Sequence, residues 1–122
     1  VTTILVIDDQ PHLPELLSDV FAEEGYGVTS APDANAVWEY FSNTKPDLVL
    51  LDLYLDEFNG WEVLQGIKSK YPQLPILIYT AYDGYAGDPR LSQADGYLIK
   101  SFSALDALKQ KVAEVLECKA VD

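Results

Sequence analysis

The chain has 122 residues, 48% hydrophobic and 23% charged, which is enough for one core, too little for two, and unlike a disordered chain. Twenty acidic residues against eight basic ones give a formal net charge of −12, a surface that repels phosphate backbones, so no direct nucleic-acid binding is expected. The longest apolar runs, such as Leu48–Leu51, are strand-sized, so no segment is expected to span a membrane. No basic segment followed by an apolar one opens the chain, so no secretory signal is expected, and the lack of methionine even at position 1 reads as a piece of a longer chain. The single cysteine, Cys118, cannot form an internal disulfide; this fits a reducing cytoplasm and a spectator role in the last helix.

Short β-type runs alternate with helical patterns. Thr3–Asp8 is a β-branched apolar run. Leu13, Leu16, Leu17, Val20 and Phe21 then draw one face of a helix closed by Gly25; Pro14 is tolerable only in the first turn, so the helix starts near Pro11 or His12. Gly27–Ala31 reads as the second strand, and Asp33 can cap a helix carrying Val37, Tyr40 and Phe41 on one face. Leu48–Leu53 is a continuous apolar strand of the kind buried on both sheet faces. A loop ending at Gly60 leads to a helix with Val63, Leu64 and Ile67, stopped by Pro72. Pro75–Thr80 and Gly96–Ile99 are the fourth and fifth strands, and Ser103 caps a last helix with Leu105, Leu108, Val112, Val115 and Leu116 inward. Between the fourth and fifth strands, Tyr82–Ala94 contains Gly84, Gly87 and Pro89, which penalise a helix interior, so a fourth helix is expected to be short or absent. Five strands alternating with helices imply one α/β domain over residues 1–122, doubly wound, with a parallel sheet, right-handed crossovers and helices on both faces.

Ligands of such sheets bind beyond the carboxyl ends of the strands. The residues placed there are Asp8 and Asp9, Asp52, Thr80 and Lys100. One Asp after a strand is ordinarily a cap or turn residue. Three carboxylates at one end repel, and become tolerable if a divalent cation sits among them and Lys100 adds a positive charge. Oxygen-only donors suit Mg²⁺ or Mn²⁺.

Asp8-Asp9, then Asp52 with Gly60 eight residues later, Thr80-Ala81, and Tyr97 three residues before Lys100 form an ordered set over essentially the whole chain, and it resembles the receiver domains of two-component response regulators. The resemblance implies a five-stranded flavodoxin-like sheet of order 2-1-3-4-5. It also implies a phosphorylation-dependent signalling switch, not an enzyme acting on a separate substrate: Asp52 accepts a phosphoryl group from a histidine-kinase phosphohistidine, a phosphotransfer protein or a small acyl phosphate, and the domain promotes its own phosphorylation and dephosphorylation. Asp9, Asp52 and the backbone carbonyl of Tyr54 would bind Mg²⁺ (or Mn²⁺), and Asp8 would hold it through water. Lys100 would pair with Asp52 or a phosphoryl oxygen, Thr80 would bond another, and Tyr97 would be the switch aromatic. The surface change would be read by an output domain or downstream protein, in the cytoplasm. Tyr54 and Tyr82 would flank the path of the water that hydrolyses the phosphorylated state.

The sequence departs from the family at Ser101, where a proline, commonly after a cis peptide, is usual, and at Asp56, which also replaces a common proline. A non-proline cis bond costs about 3–4 kcal/mol, so the Lys100–Ser101 peptide is either strained or trans with an altered loop. His12 reads as a surface residue, and Trp38 and Trp61 as packing or partner-facing rings. Three rival readings are a vestigial interaction module, a haloacid-dehalogenase-like phosphatase and a flavodoxin. The first requires loss of an acidic or lysine position, the second an acid where Tyr54 stands, and the third a Ser/Thr loop where the sequence reads DDQP.

Overall fold

A computed structural model describes residues 2–8, 10, 12–53, 60–80, 87–100 and 104–121. Asp9, Pro11, Tyr54, Asp56, Ala81, Tyr82, Ser101 and Ser103 lie outside the described residues. The elements in chain order are β1 (Thr3–Ile7), α1 (Leu13–Ala22), β2 (Gly27–Ala31), α2 (Ala34–Asn43), β3 (Leu48–Leu51), α3 (Gly60–Lys70), β4 (Ile76–Thr80), a 3-10 helix (Pro89–Gln93), β5 (Gly96–Ile99) and α4 (Ala104–Val121). The five strands pair in parallel in the order β2-β1-β3-β4-β5, the expected flavodoxin-like topology.

Alternation along the strands divides the core in two. Leu5, Ile7, Val49, Leu51, Ile76 and Ile78 face Val37 and Phe41 of α2 and Val63, Leu64 and Ile67 of α3. Ile4, Val6, Leu48, Leu50, Leu77 and Tyr79 face Leu17 and Phe21 of α1 and Leu108, Val112 and Val115 of α4. The sheet is therefore covered on both sides, which is why β3 and β4 are buried at every position.

Local chemistry sets the helix ends. Asp33 caps α2 by accepting from the Ala36 N–H at 2.8 Å. Past α1, Gly25 has φ +82°, its N–H donates to the Ala22 carbonyl, and the Tyr26 N–H reaches back to the Phe21 carbonyl. The Phe21 and Tyr26 rings, 5.9 Å apart, complete this glycine-terminated cap with its customary apolar contact.

Two strand limits differ from the sequence reading. β3 ends at Leu51 and β4 begins at Ile76, so Leu53 and Pro75 lie just outside the strands, although the Pro75 carbonyl still accepts from the Val49 N–H at 3.0 Å. Leu53 is still 4% exposed and belongs to the α2–α3 side of the core, so its apolarity reflects packing and not strand pairing. Between β4 and β5 the described structure is the five-residue 3-10 helix, capped by Asp88. Trp61 resolves toward packing: its ring lies under the Arg90 guanidinium, 4.1 Å away, and joins the α2–α3 side of the core. Trp38 remains 40% exposed, its indole lying over Gly66.

The amino-terminal end of the sheet is tied by a contact that sequence patterning did not single out. Asp95 Oδ2 accepts from Lys68 Nζ and from the Ile76 N–H, both at 2.8 Å, and Lys68 also donates to the Leu74 carbonyl. This fastens α3, β4 and the start of β5 together. Asp95→Ala is expected to leave the Ile76 N–H and the ammonium without that acceptor and to lower stability by about 1–3 kcal/mol, measured by urea denaturation; an unchanged midpoint would count against this anchor.

Candidate functional site

The register brings the polar residues together. Ile7 pairs with Leu51 and Leu51 with Ile78, so Asp8 and Asp52 leave neighbouring strands at the same level. Thr80 pairs with Ile99, so Lys100 emerges beside them, its N–H donating to the Thr80 carbonyl at 2.8 Å. The Asp52 N–H remains bonded to the Ile7 carbonyl at 3.0 Å, fixing the backbone just past the end of β3.

At this edge Lys100 Nζ donates to Asp8 Oδ2 at 2.5 Å, Asp52 Oδ2 at 3.1 Å and Gln10 Oε1 at 3.3 Å. The side chains of Asp8, Asp52 and Lys100 are 2%, 7% and 12% exposed. Asp8 also accepts from the Gln10 N–H through Oδ1 at 2.9 Å, so it is a turn residue and a member of the cluster at once. Thr80 is fully buried at the end of β4. The Tyr79 ring centroid lies 5.7 Å from the ammonium.

Gly60 sets how closely α3 can approach. A β-carbon there would lie 2.6 Å from the Leu53 Cα and 3.1 Å from the Asp52 carbonyl oxygen, so any side chain would push the helix start away from the backbone that carries Asp52.

Sequence reasoning placed Asp8, Asp52, Thr80 and Lys100 at one edge, and the structure brings them there. Asp9 and the Tyr54 carbonyl lie outside the described residues, as does the Lys100–Ser101 peptide. Tyr97 is half-buried on β5, opposite Ile78, and packs on the α2–α3 side of the core. His12 is exposed just before α1, as expected of a surface residue. The contact of Gln10 with Lys100 was missed; its only signal was adjacency to the acidic pair. Tyr79 was missed because an apolar strand conceals which of its residues faces a charge.

Two carboxylates against one ammonium leave a net negative charge in a nearly dry pocket. Their oxygen donors fit a hard divalent cation. Among the described residues, no group of three or more His, Cys, Asp or Glu side chains is close enough to hold a metal ion.

A five-stranded, doubly wound sheet with two acids, a threonine and a lysine gathered at its carboxyl edge defines a receiver-type signalling module. The chain belongs to the response regulator receiver domain family, which it matches over residues 4–113. It is 36% identical over 105 residues to the probable transcriptional regulatory protein TcrX of Mycobacterium tuberculosis, covering 83% of this chain and 44% of TcrX. It is 28% identical over 123 residues to the regulatory protein AtoC of Escherichia coli, covering 99% of this chain and 26% of AtoC. The chain thus spans less than half the length of either relative. Its fold is similar to that of the response regulator TrrA of Thermotoga maritima in complex with Mg²⁺-BeF, with a TM-score of 0.86, 36% identity and coverage of 94% of this chain and 99% of that one. A structure of the histidine kinase ThkA in complex with TrrA matches with a TM-score of 0.84 at 38% identity, covering 95% of this chain and 99% of that chain. No helix among the described residues is long and apolar enough to cross a membrane.

Burial is the main reason that the Asp8 carboxyl is pushed above its ordinary value of 3.8; the hydrogen bonds from Lys100 and the Gln10 N–H oppose the rise, and the Asp52 charge adds to it. A carboxyl whose folded value is raised releases its proton more readily in the unfolded chain, so stability is lost as pH climbs from the ordinary value through the raised one. In metal-free buffer, the difference in Tm between Asp8→Asn and the native chain is expected to move in the mutant's favour as pH rises through that window. Thermal melts across pH read this directly, and a difference that stays constant or moves the other way would refute it.

Proposed function

We propose that this receiver domain is a switch thrown by phosphorylation of Asp52. The observation that carries the reading is the buried Lys100 ammonium bridging Asp8 and Asp52 beside Thr80 at the carboxyl edge of the sheet. An Asp52 carboxylate oxygen attacks the phosphorus of a phosphohistidine, the P–N bond breaks, and its electron pair leaves on the imidazole nitrogen. With a small acyl phosphate, the P–O bond breaks and the carboxylate of the donor departs. Lys100 then pairs with a phosphoryl oxygen and Thr80 donates to another, which draws the end of β4 toward the group. Asp9, Asp52 and the Tyr54 carbonyl, with Asp8 through water, would hold Mg²⁺ or Mn²⁺, which when bound neutralises charge on the phosphoryl oxygens.

Movement of Thr80 toward the phosphoryl group vacates space into which Tyr97 turns, altering the surface around β5. A histidine kinase or phosphotransfer protein supplies the group, as suggested by similarity to the TrrA complexed with ThkA. An output domain or downstream protein reads the change, since TcrX and AtoC are much longer regulatory proteins. The module acts in the cytoplasm and makes no direct nucleic-acid contact, in keeping with its −12 charge.

Intact-mass analysis after incubation with acetyl phosphate and Mg²⁺ tests the reading: one phosphoryl group is expected on the native chain and none on Asp52→Ala, and equal labelling of both would overturn it. Lys100→Ala is expected to bind Mg²⁺ at least as tightly, because a competing cation is gone, yet to be phosphorylated about tenfold or more slowly, the equivalent of one charged hydrogen bond lost from the anion. Equal rates would remove Lys100 from its role.

Two phenols beside the phosphoryl group would crowd the hydrolytic water, and neither is a useful base at neutral pH. Tyr54→Asn and Tyr82→Glu are therefore expected to shorten the lifetime of the phosphorylated chain, by about tenfold for a barrier change near 1.4 kcal/mol. Decay measured after donor removal, at constant Mg²⁺, would reject this shielding if no variant decays faster than the native chain.

A further inference from the structure

We propose that Gln10 is a positioning residue: its amide oxygen is a neutral holding point for Lys100 that lets the ammonium release Asp8 and Asp52 to an incoming divalent cation. The inference rests on the metal-dependent reading above and assigns a role to a residue outside that proposed machinery. Lys100 is an ammonium with three donors, and the structure supplies acceptors on Asp8, Asp52 and Gln10. The two carboxylate contacts, at 2.5 and 3.1 Å, hold the charge; the Gln10 contact, at 3.3 Å, is the longest and adds none.

A cation that takes the two carboxylates must displace this ammonium. Lys100 is only 12% exposed, so losing both partners at once would leave a poorly hydrated charge. Gln10 is itself exposed, so its amide oxygen can remain with the ammonium at little desolvation cost. Gln10 also lines a surface cavity of about 480 Å³ with His12, Leu13 and Leu16. Its backbone N–H meanwhile keeps Asp8 Oδ1 fixed, so Asp8 stays oriented while Lys100 shifts toward the side chain of the same residue. A carboxylate at position 10 would hold Lys100 equally well but would add negative charge where the phosphoryl group arrives.

The test is Mg²⁺ titration of the native chain, Gln10→Met and Gln10→Ala by isothermal calorimetry, each repeated in a Lys100→Ala background. Methionine keeps the length of the side chain without its acceptor. Both variants are expected to raise the Mg²⁺ Kd by roughly three- to tenfold, the size of one hydrogen bond, and to have no effect once Lys100 is alanine. An unchanged Kd in the first background overturns the proposal. Equal weakening in both backgrounds also overturns it, because Gln10 would then act on the metal site and not through the lysine. A native chain that binds no Mg²⁺ overturns the metal-dependent reading itself, and this inference with it.

Discussion

Two carboxylates lie almost dry at the carboxyl edge of a parallel sheet, and the ammonium of Lys100 binds both. Bringing like charges together in a medium less polarisable than water is unfavourable, and a single cation only partly offsets it. The fold therefore holds a site with a standing deficit of positive charge. In the proposed function, that deficit is what a divalent cation would offset before a phosphoryl anion arrives. Burial, with a smaller contribution from the Asp52 charge, pushes the Asp8 carboxyl up against the hydrogen bonds from Lys100 and the Gln10 N–H.

The scaffold holds this charge imbalance at one edge of a sheet that is packed on both faces. Both sheet faces are sealed by apolar side chains from two helices each. Gly60 lets α3 press against the backbone beside Asp52. At the opposite end of the sheet, Lys68 and Asp95 clasp α3 to β4 and β5 with the same ion pairing, but there the pair is balanced one to one and is joined by a backbone N–H.

The described part of the segment between β4 and β5 is fastened to α3. Arg90, steadied by Asp88 through a bidentate contact, lies on the Trp61 ring and fastens the 3-10 helix to the beginning of α3. In this described part, residues 87–95, Gly87 has φ +86° and Pro89 opens the 3-10 helix. Among the described residues, the 3-10 helix lies between β4 and β5 in the chain and meets α3 through the Arg90–Trp61 contact.

The alternation of β-branched runs with amphipathic helices determined a doubly wound parallel sheet, because each pattern buries its apolar face in only one way. Gly25, Asp33, Gly60 and Pro14 marked turns and helix ends because their backbone preferences act locally. The order of Asp8, Asp52, Thr80 and Lys100 near the strand ends was equally legible, since polar residues interrupt or close each apolar run there, although the buried Leu53 hid where β3 stops. Which atoms meet was not. The pairing of Ile7 with Leu51 and Thr80 with Ile99 is a long-range choice of register, and only that register gives Lys100 two carboxylates. The amide oxygen of Gln10, the Tyr79 ring and the Lys68–Asp95 clasp depend on the same three-dimensional placement, for polar side chains carry no periodic signal that names a distant partner.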